Sequence, residues 1–430
     1  MRSRFAVRCL RAAGQAVTRA LSVWWDGALV GALRIDRHGD LGFAYDQAWL
    51  DDPARPPISQ SLPKRAEAFN RRETRPFFAG LLPEADQREA VARNLGISEA
   101  NDFRLLEALG GDVAGALTLW PEGETPAAAS EISPADPLTD GALVEILDTL
   151  PKRPMLAGRD GLRLSLAGVQ QKLPVVLVDG RIALPRPGQP TTHILKPPIA
   201  RFTFTTENEA FAMRLAEAVG LKVAAVEPRR VAGRPFLLVA RYDRATDADG
   251  RVRRLHQEDF CQALGIAPEQ KYASEGGPVF KDCFDLVRKA CTAPAPSVLA
   301  LLDAAIFNVI LGNADAHGKN FSLLYAEGTV NLAPLYDLLC TVAHPEIGAK
   351  FAMKIAKRAT LEEFRPDSWE RFAGEVGVGA PYTRRRVREI AEAMTERAPR
   401  LVAALGALGL DETALGGFSD IIRSRAERFL

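Results

Sequence analysis

Residues 298–311 are apolar at every position except Asp303 and Asn308, and they run directly into the segment 312–320, Gly-Asn-Ala-Asp-Ala-His-Gly-Lys-Asn. A helix that is hydrophobic all round has to be enclosed by protein, so the chain must fold around this stretch. A buried helix does not need to end in a dense polar cluster with two small spacers, Ala316 and Gly318, whereas a functional site does.

The 430 residues suffice for two to four domains at roughly 100–200 residues each. No apolar run approaches the roughly 20 residues that span a bilayer, so the sequence predicts no transmembrane helix and a cytoplasmic protein. Lys and Arg number 55 against 54 Asp and Glu, a net charge of +1, which gives no global signal for nucleic acid or membrane. The five cysteines form no CxxC pair and the five histidines are scattered, which predicts buried, reduced thiols and no zinc site.

Residues 1–20 carry Arg2, Arg4, Arg8, Arg11 and Arg19 and no acid, and read as an extension outside the fold or upstream of the true start. Residues 21–30 read as two short strands around the turn Asp26-Gly27. Residues 76–110 read as helical, punctuated by Pro83 and Gly96, with Leu105, Leu106 and Leu109 on one face. Residues 121–137, with Pro121, Pro126, Pro134 and Pro137, read as a linker after an N-terminal module at 21–120. A strand-rich lobe follows at 138–244. It holds a hairpin around Asp179-Gly180, a short strand ending in Lys196-Pro197, a helix opened by the capping-box spacing of Thr206 and Glu209, and a strand pair around Gly233. Residues 245–430 read as mainly helical, with a hairpin at 321–332. Arginines crowd 229–254 and again 384–388. Both runs read as solvated faces, with contact to DNA phosphates as the alternative.

The spacing from Asp315 to Asn320 equals that of the protein-kinase catalytic loop, where Asp takes the proton of the substrate hydroxyl and Asn holds magnesium. A hairpin then leads to Asp337, where such an enzyme keeps its main metal-binding carboxylate. Two hard oxygen ligands plus nucleotide phosphates suit magnesium. Lys196, at the end of a rigid strand, suits the role of an ATP-positioning cation. Glu209 could pair with it, or serve only as the capping-box acid. No GxGxxG or Walker loop is present, and Gly168 alone is weak evidence for a phosphate loop.

With these residues in hand, the sequence resembles the HipA family, the serine/threonine-kinase toxins of bacterial toxin–antitoxin pairs. The resemblance rests on ordered blocks. They are Phe-Phe-Ala-Gly-Leu-Leu-Pro-Glu at 77–84, Leu-Gly-Gly-Asp-Val-Ala-Gly at 109–115 and Ser-Leu-Ala-Gly-Val-Gln-Gln-Lys at 165–172. His-Ile-Leu-Lys at 193–196, Asn208-Glu209, Arg-Tyr-Asp-Arg at 241–244, His-Gln-Glu-Asp-Phe-Cys-Gln at 256–262 and Lys271-Tyr272 follow. The last are 312–322 and Pro-Leu-Tyr-Asp at 334–337. The resemblance implies an α+β, two-lobed protein-kinase-like fold, with a small mixed N-lobe, a mainly helical C-lobe and an added N-terminal subdomain.

It also implies roles. Asp315 would be the catalytic base, and Asn320 and Asp337 the Mg2+ ligands. Lys196 would hold the ATP phosphates, and Ala167, Gly168, Val169, Gln170, Gln171 and Lys172 would form the phosphate loop. Ala240, Arg241 and Tyr242 would meet adenine largely through backbone, and His317, Gly318, Lys319 and Asn320 would complete the nucleotide pocket. Ser165 matches the family's autophosphorylated serine, whose modification ejects the loop. The chain departs from the family's commoner residues at Ala240, where Glu is frequent, and at Val169 and Gln171, where Ala and Glu are. The implied partners are a helix-turn-helix antitoxin of the HipB type, operator DNA mainly through that antitoxin, and an aminoacyl-tRNA synthetase substrate, glutamyl first among them, whose phosphorylation arrests growth. Two rival readings are a small-molecule kinase on the same scaffold and a catalytically silent co-repressor.

Overall fold

The computed structural model describes residues 17–127, 132–159, 161–348 and 350–430. The N-terminal subdomain is built on an antiparallel sheet of four strands, ordered Leu41–Tyr45, Ala28–Asp36, Val17–Trp25 and Leu117–Pro121. Asp26 and Gly27 turn the first hairpin with φ of 46° and 72°, the pair of left-handed residues that a tight two-residue turn requires. The first strand begins at Val17, inside the segment assigned to an extension, and Arg19 pairs with Glu107. The rest of that segment, with Cys9, lies outside the described residues. Three helices, Arg71–Ala79, Ala85–Leu95 and Asp102–Leu109, fill the region expected to be helical, and Gly96 closes the second at φ 64°.

The middle lobe is a five-stranded antiparallel sheet, ordered Arg181–Ala183, Leu173–Val178, His193–Lys196, Arg234–Ala240 and Val226–Val231, with the helix Thr205–Ala218 against it. His193–Lys196 is its central strand, so Lys196 projects from backbone fixed on both sides. The expected capping box is absent. Phe204 is the N-cap, at φ 57° and without a side-chain cap bond, so Thr206 lies inside the helix and Glu209 is freed for another partner.

The C-lobe holds Phe280–Ala290, Pro294–Leu311, Ser368–Val376, Ala380–Gly406 and Glu412–Glu427. Pro294–Leu311 is apolar and, at 18 residues, long enough to cross a membrane, contrary to the sequence expectation; it lies in the core, with Leu301, Phe307 and Leu311 fully buried. Several strands in this lobe escaped the sequence reading. His256–Asp259 joins the hairpin Ser322–Ala326 and Thr329–Leu332, and Lys350–Ile355 pairs with Arg358–Thr360. The lobes meet where Ala224 N–H donates to Leu335 O and Leu335 N–H to Lys222 O, each at 2.8 Å.

The arginine-rich stretch 229–254 is only partly a solvated face. Arg230, Arg251 and Arg253 are exposed. Arg241, Arg244 and Arg254 instead converge on Asp112 at 3.1, 3.0 and 2.9 Å, and Arg241 also reaches Asp243 at 2.7 Å. Buried charges need counter-charges, and these tie the N-terminal subdomain to the segment 241–244. On the helix Ala380–Gly406, Arg386 pairs with Asp303 at 2.8 Å and Arg388 with Glu392 at 2.9 Å. Cys261, Cys283, Cys291 and Cys340 are free and buried.

Candidate active site

The core helix stops at Gly312, whose φ of 82° reverses the chain. A Cβ there would lie 2.5 Å from Val342 Cγ2, so glycine is needed twice over. The loop that follows is pinned by its own side chains and by the next segment. Asn313 Nδ2 donates to Asn308 Oδ1 at 2.8 Å, its Oδ1 accepts from Asp315 N–H at 3.1 Å, and Ala314 N–H donates to Thr341 Oγ1 at 2.8 Å. Gly318 is held by packing. A Cβ at that position would lie 2.5 Å from Pro278 Cγ and 2.8 Å from Cys261 Sγ.

Lys196, Glu209, Asn320 and Asp337 come together although they are spread over three elements and both lobes. Lys196 Nζ donates to Glu209 Oε1 at 2.6 Å and to Asp337 Oδ1 at 2.8 Å, and Asn320 Nδ2 donates to Asp337 Oδ2 at 3.2 Å. Asp337 has φ 59°, an uncommon conformation for a non-glycine residue and one that clusters at functional sites. Burial works against its charge, but Lys196 and Lys172 hold the Asp337 carboxyl well below the usual range. Burial also disfavours the Lys196 charge, and there Asp337 and Glu209 prevail and raise it. Asn208 fixes the segment after Asp337 from the other side, accepting from Cys340 N–H at 2.7 Å and donating to Cys340 O at 3.0 Å.

Asp315 lines the same cleft, which lies between the lobes. Burial raises its carboxyl to about 6, against the Lys271 cation and a hydrogen bond with Tyr272. His317 is lowered to about 3 by burial and then by Lys271, so its ring is neutral. Its Nδ1 is buried without a hydrogen-bond partner among the described residues. Lys319 does not face the cleft freely, since Nζ donates to Asp259 Oδ2 at 2.7 Å and Gly80 O at 3.3 Å.

Gly168 turns the loop 167–172 at φ 108°, and Lys172 Nζ folds back to Ala167 O. Burial, then the neighbouring Lys196 cation, lowers Lys172 to about 8. The loop docks on the N-terminal subdomain. Glu84 N–H donates to Gly168 O at 3.3 Å, Ser165 N–H to Asp112 O at 3.0 Å, and Ser165 Oγ to Leu81 O at 2.7 Å. Val169 is exposed, whereas Ser165 is fully buried. At the back of the cleft, the N–H groups of Ala240 and Arg241 are already engaged, with Ala225 O at 2.8 Å and Thr192 O at 2.9 Å. Tyr242 stacks on Tyr336 with ring centres 5.7 Å apart.

Of the residues expected from sequence, Ala167, Gly168, Val169, Gln170, Lys172, Lys196, Ala240, Arg241, Tyr242, Asp315, His317, Lys319, Asn320 and Asp337 line this cleft, while Ser165, Gln171 and Gly318 do not. The structure adds Glu84, Asp259 and Lys271 to the lining. Glu84 and Lys271 pair at 2.9 Å across 187 residues of sequence, a separation that no local pattern reveals.

Two family models match the chain, the HipA N-terminal domain over residues 21–120 and the HipA-like C-terminal domain over 164–402. A putative kinase of Sinorhizobium fredii is 59% identical, covering 95% of this chain and 98% of the relative. The serine/threonine-protein kinase toxin HipA of Shewanella oneidensis is 28% identical, over 96% of this chain and 97% of its own. A solved complex of HipA, HipB and operator DNA from Shewanella oneidensis aligns with a TM-score of 0.82 at 27% identity, covering 95% of this chain and 97% of that one.

Proposed function

The chain belongs to the HipA family of kinase toxins, and from this premise we propose that it is an ATP-dependent serine/threonine protein kinase acting as the toxin of a toxin–antitoxin pair. The observation that carries the reading is the hydrogen-bonded chain Glu209–Lys196–Asp337–Asn320, whose last three members line one cleft with Asp315.

Asp315 takes the proton of the attacking hydroxyl. Lys196 and the loop 167–172 hold the ATP phosphates. The segment 240–242 meets adenine through backbone groups other than the two engaged N–H groups, and 317–320 completes the pocket. Asp337 offers an anionic carboxylate and Asn320 an amide oxygen. This donor set fits magnesium, which prefers one or two carboxylates together with substrate phosphates and water. Bound there, the metal would neutralise charge on the phosphates.

Ser165 is the self-inactivation site. Its hydroxyl is fully buried against Leu81 O, so it reaches a nucleotide only when its segment leaves the subdomain. A phosphate dianion has no room to return, so modification holds the loop out.

The partner is an antitoxin of the HipB type, which brings operator DNA. Burial of Arg241, Arg244 and Arg254 on Asp112 and Asp243 supports DNA contact mainly through that partner. The substrate is an aminoacyl-tRNA synthetase, glutamyl first among them, and the site of action is the cytoplasm.

The test is the intact mass of the purified protein with and without Mg-ATP, beside Asp315→Ala. One added phosphoryl group on Ser165, absent in the variant while calorimetric ATP binding persists, is the expected result. Turnover retained in Asp315→Ala would overturn the assignment.

A further inference from the structure

Phosphoryl transfer spreads negative charge over the group in transit. The substrate hydroxyl oxygen bonds to the γ-phosphorus, and the bond from that phosphorus to the bridging oxygen breaks, its electron pair leaving with ADP. The hydroxyl proton passes to Asp315. A cation beside Asp315 would stabilise this charge, and the other lysines of the cleft stand by different groups. Lys196 lies between Glu209 and Asp337, Lys172 is bonded to Ala167 O, and Lys319 is bonded to Asp259 and Gly80.

Lys271 differs from these. It lines the cleft at 7% exposure, and Glu84 Oε2, at 2.9 Å, takes one of its three N–H donors. Its ammonium lies 5.4 Å from the centre of the Tyr272 ring, and Tyr272, like Lys271, acts to lower the Asp315 carboxyl. Lys271 exerts the strongest single-charge effect on both Asp315 and His317. The turn that carries it is tightly built. Tyr272 O accepts from Glu275 and Gly277 N–H, each at 2.9 Å, and a Cβ on Gly277 would lie 2.2 Å from Gln270 O and 2.7 Å from the Lys271 carbonyl carbon. Glu84 comes from the N-terminal subdomain, and its own N–H holds Gly168 O of the phosphate loop.

We propose that Lys271 is a further catalytic residue, contacting the phosphoryl group in transit, with Glu84 as its positioning residue and Tyr272 as the positioning residue of Asp315. The proposal rests on the kinase reading. It makes the N-terminal subdomain part of the active site, because Glu84 aims the cation from there.

The test uses the full chain with Mg-ATP as phosphoryl donor and Mg-ADP as a probe of binding without the γ-phosphoryl group. Lys271→Met is expected to slow transfer about 100- to 1000-fold, with Mg-ADP affinity unchanged and partial recovery in Lys271→Arg. Glu84→Gln, which leaves Lys271 in place but unaimed, is expected to slow transfer at unchanged Mg-ADP affinity. A wild-type rate in Lys271→Met, or a loss of rate matched by an equal loss of Mg-ADP affinity, would overturn the proposal alone. A wild-type protein that transfers no phosphoryl group would overturn the kinase reading and the proposal with it.

Discussion

Ser165→Asp puts a carboxylate where the structure holds a fully buried hydroxyl facing the Leu81 carbonyl oxygen. Three hydrogen bonds keep this segment docked, from Ser165 Oγ to Leu81 O, Ser165 N–H to Asp112 O and Glu84 N–H to Gly168 O, at 2.7, 3.0 and 3.3 Å. At about 1 kcal/mol net each, they favour the docked loop by about 3 kcal/mol. The substitution removes one bond and adds an unpaired buried charge that costs roughly 3–5 kcal/mol. The preference then reverses to about 1–3 kcal/mol in favour of the undocked loop. Apparent affinity scales with the fraction of competent molecules, so ATP should bind on the order of 10- to 100-fold more weakly. Ser165→Ala loses only the one bond and keeps about 2 kcal/mol of the docking preference, so its affinity should stay close to that of the wild type. Calorimetric titration of the three proteins with Mg-ATP decides the matter. Equal affinity in Ser165→Asp, or the same weakening in Ser165→Ala, would refute the argument that charge at this position controls the loop.

Two further outcomes follow from buried carboxyls. Asp315 must be ionised to accept a proton, and burial, against Lys271 and Tyr272, raises it to about 6; the kcat/KM profile should therefore fall below about pH 6 rather than near pH 4, and an acidic limb at 4 would contradict the geometry. Glu258 is raised to about 7 by burial, against hydrogen bonds from Ser59, Tyr325 and Gln60. Its folded value lies above the ordinary 4.5, so the folded state binds the extra proton between those limits. Stability from this group is complete below pH 4.5 and is lost as pH rises through 7. Glu258→Gln should melt higher than the wild type at pH 8 and not at pH 5, in scanning calorimetry at both values.

Several features were legible because short-range physics decides them. The Asp26-Gly27 and Asp179-Gly180 turns need left-handed backbone, which these residues tolerate, and both form hairpins as read. The largely apolar run ending in Gly312 reads as a buried helix with a left-handed stop, and it is one. The spacing from Asp315 to Asn320 is a local property of one loop, and the family blocks reached most of the cleft lining. Glu209 shows where this reasoning ends. Its sequence neighbours suggest a capping box, but the helix starts at Thr205 and the carboxylate turns inward to Lys196 at 2.6 Å.

The arginines at 241, 244 and 254 look like surface charge until the fold brings Asp112 to within about 3 Å of each. Glu84 and Lys271 belong to different domains of the sequence and meet only when the subdomain packs on the C-lobe. Backbone preference and side-chain periodicity act over a few residues, and the chain carries them in its order. Pairing between charges depends on separation and on exclusion of water, and both are set by how every segment packs. The sequence by itself determined the turns, the core helix, the polar loop 312–320 and the family. Tertiary structure alone decided which charges are buried together, and so which lysine stands beside the base.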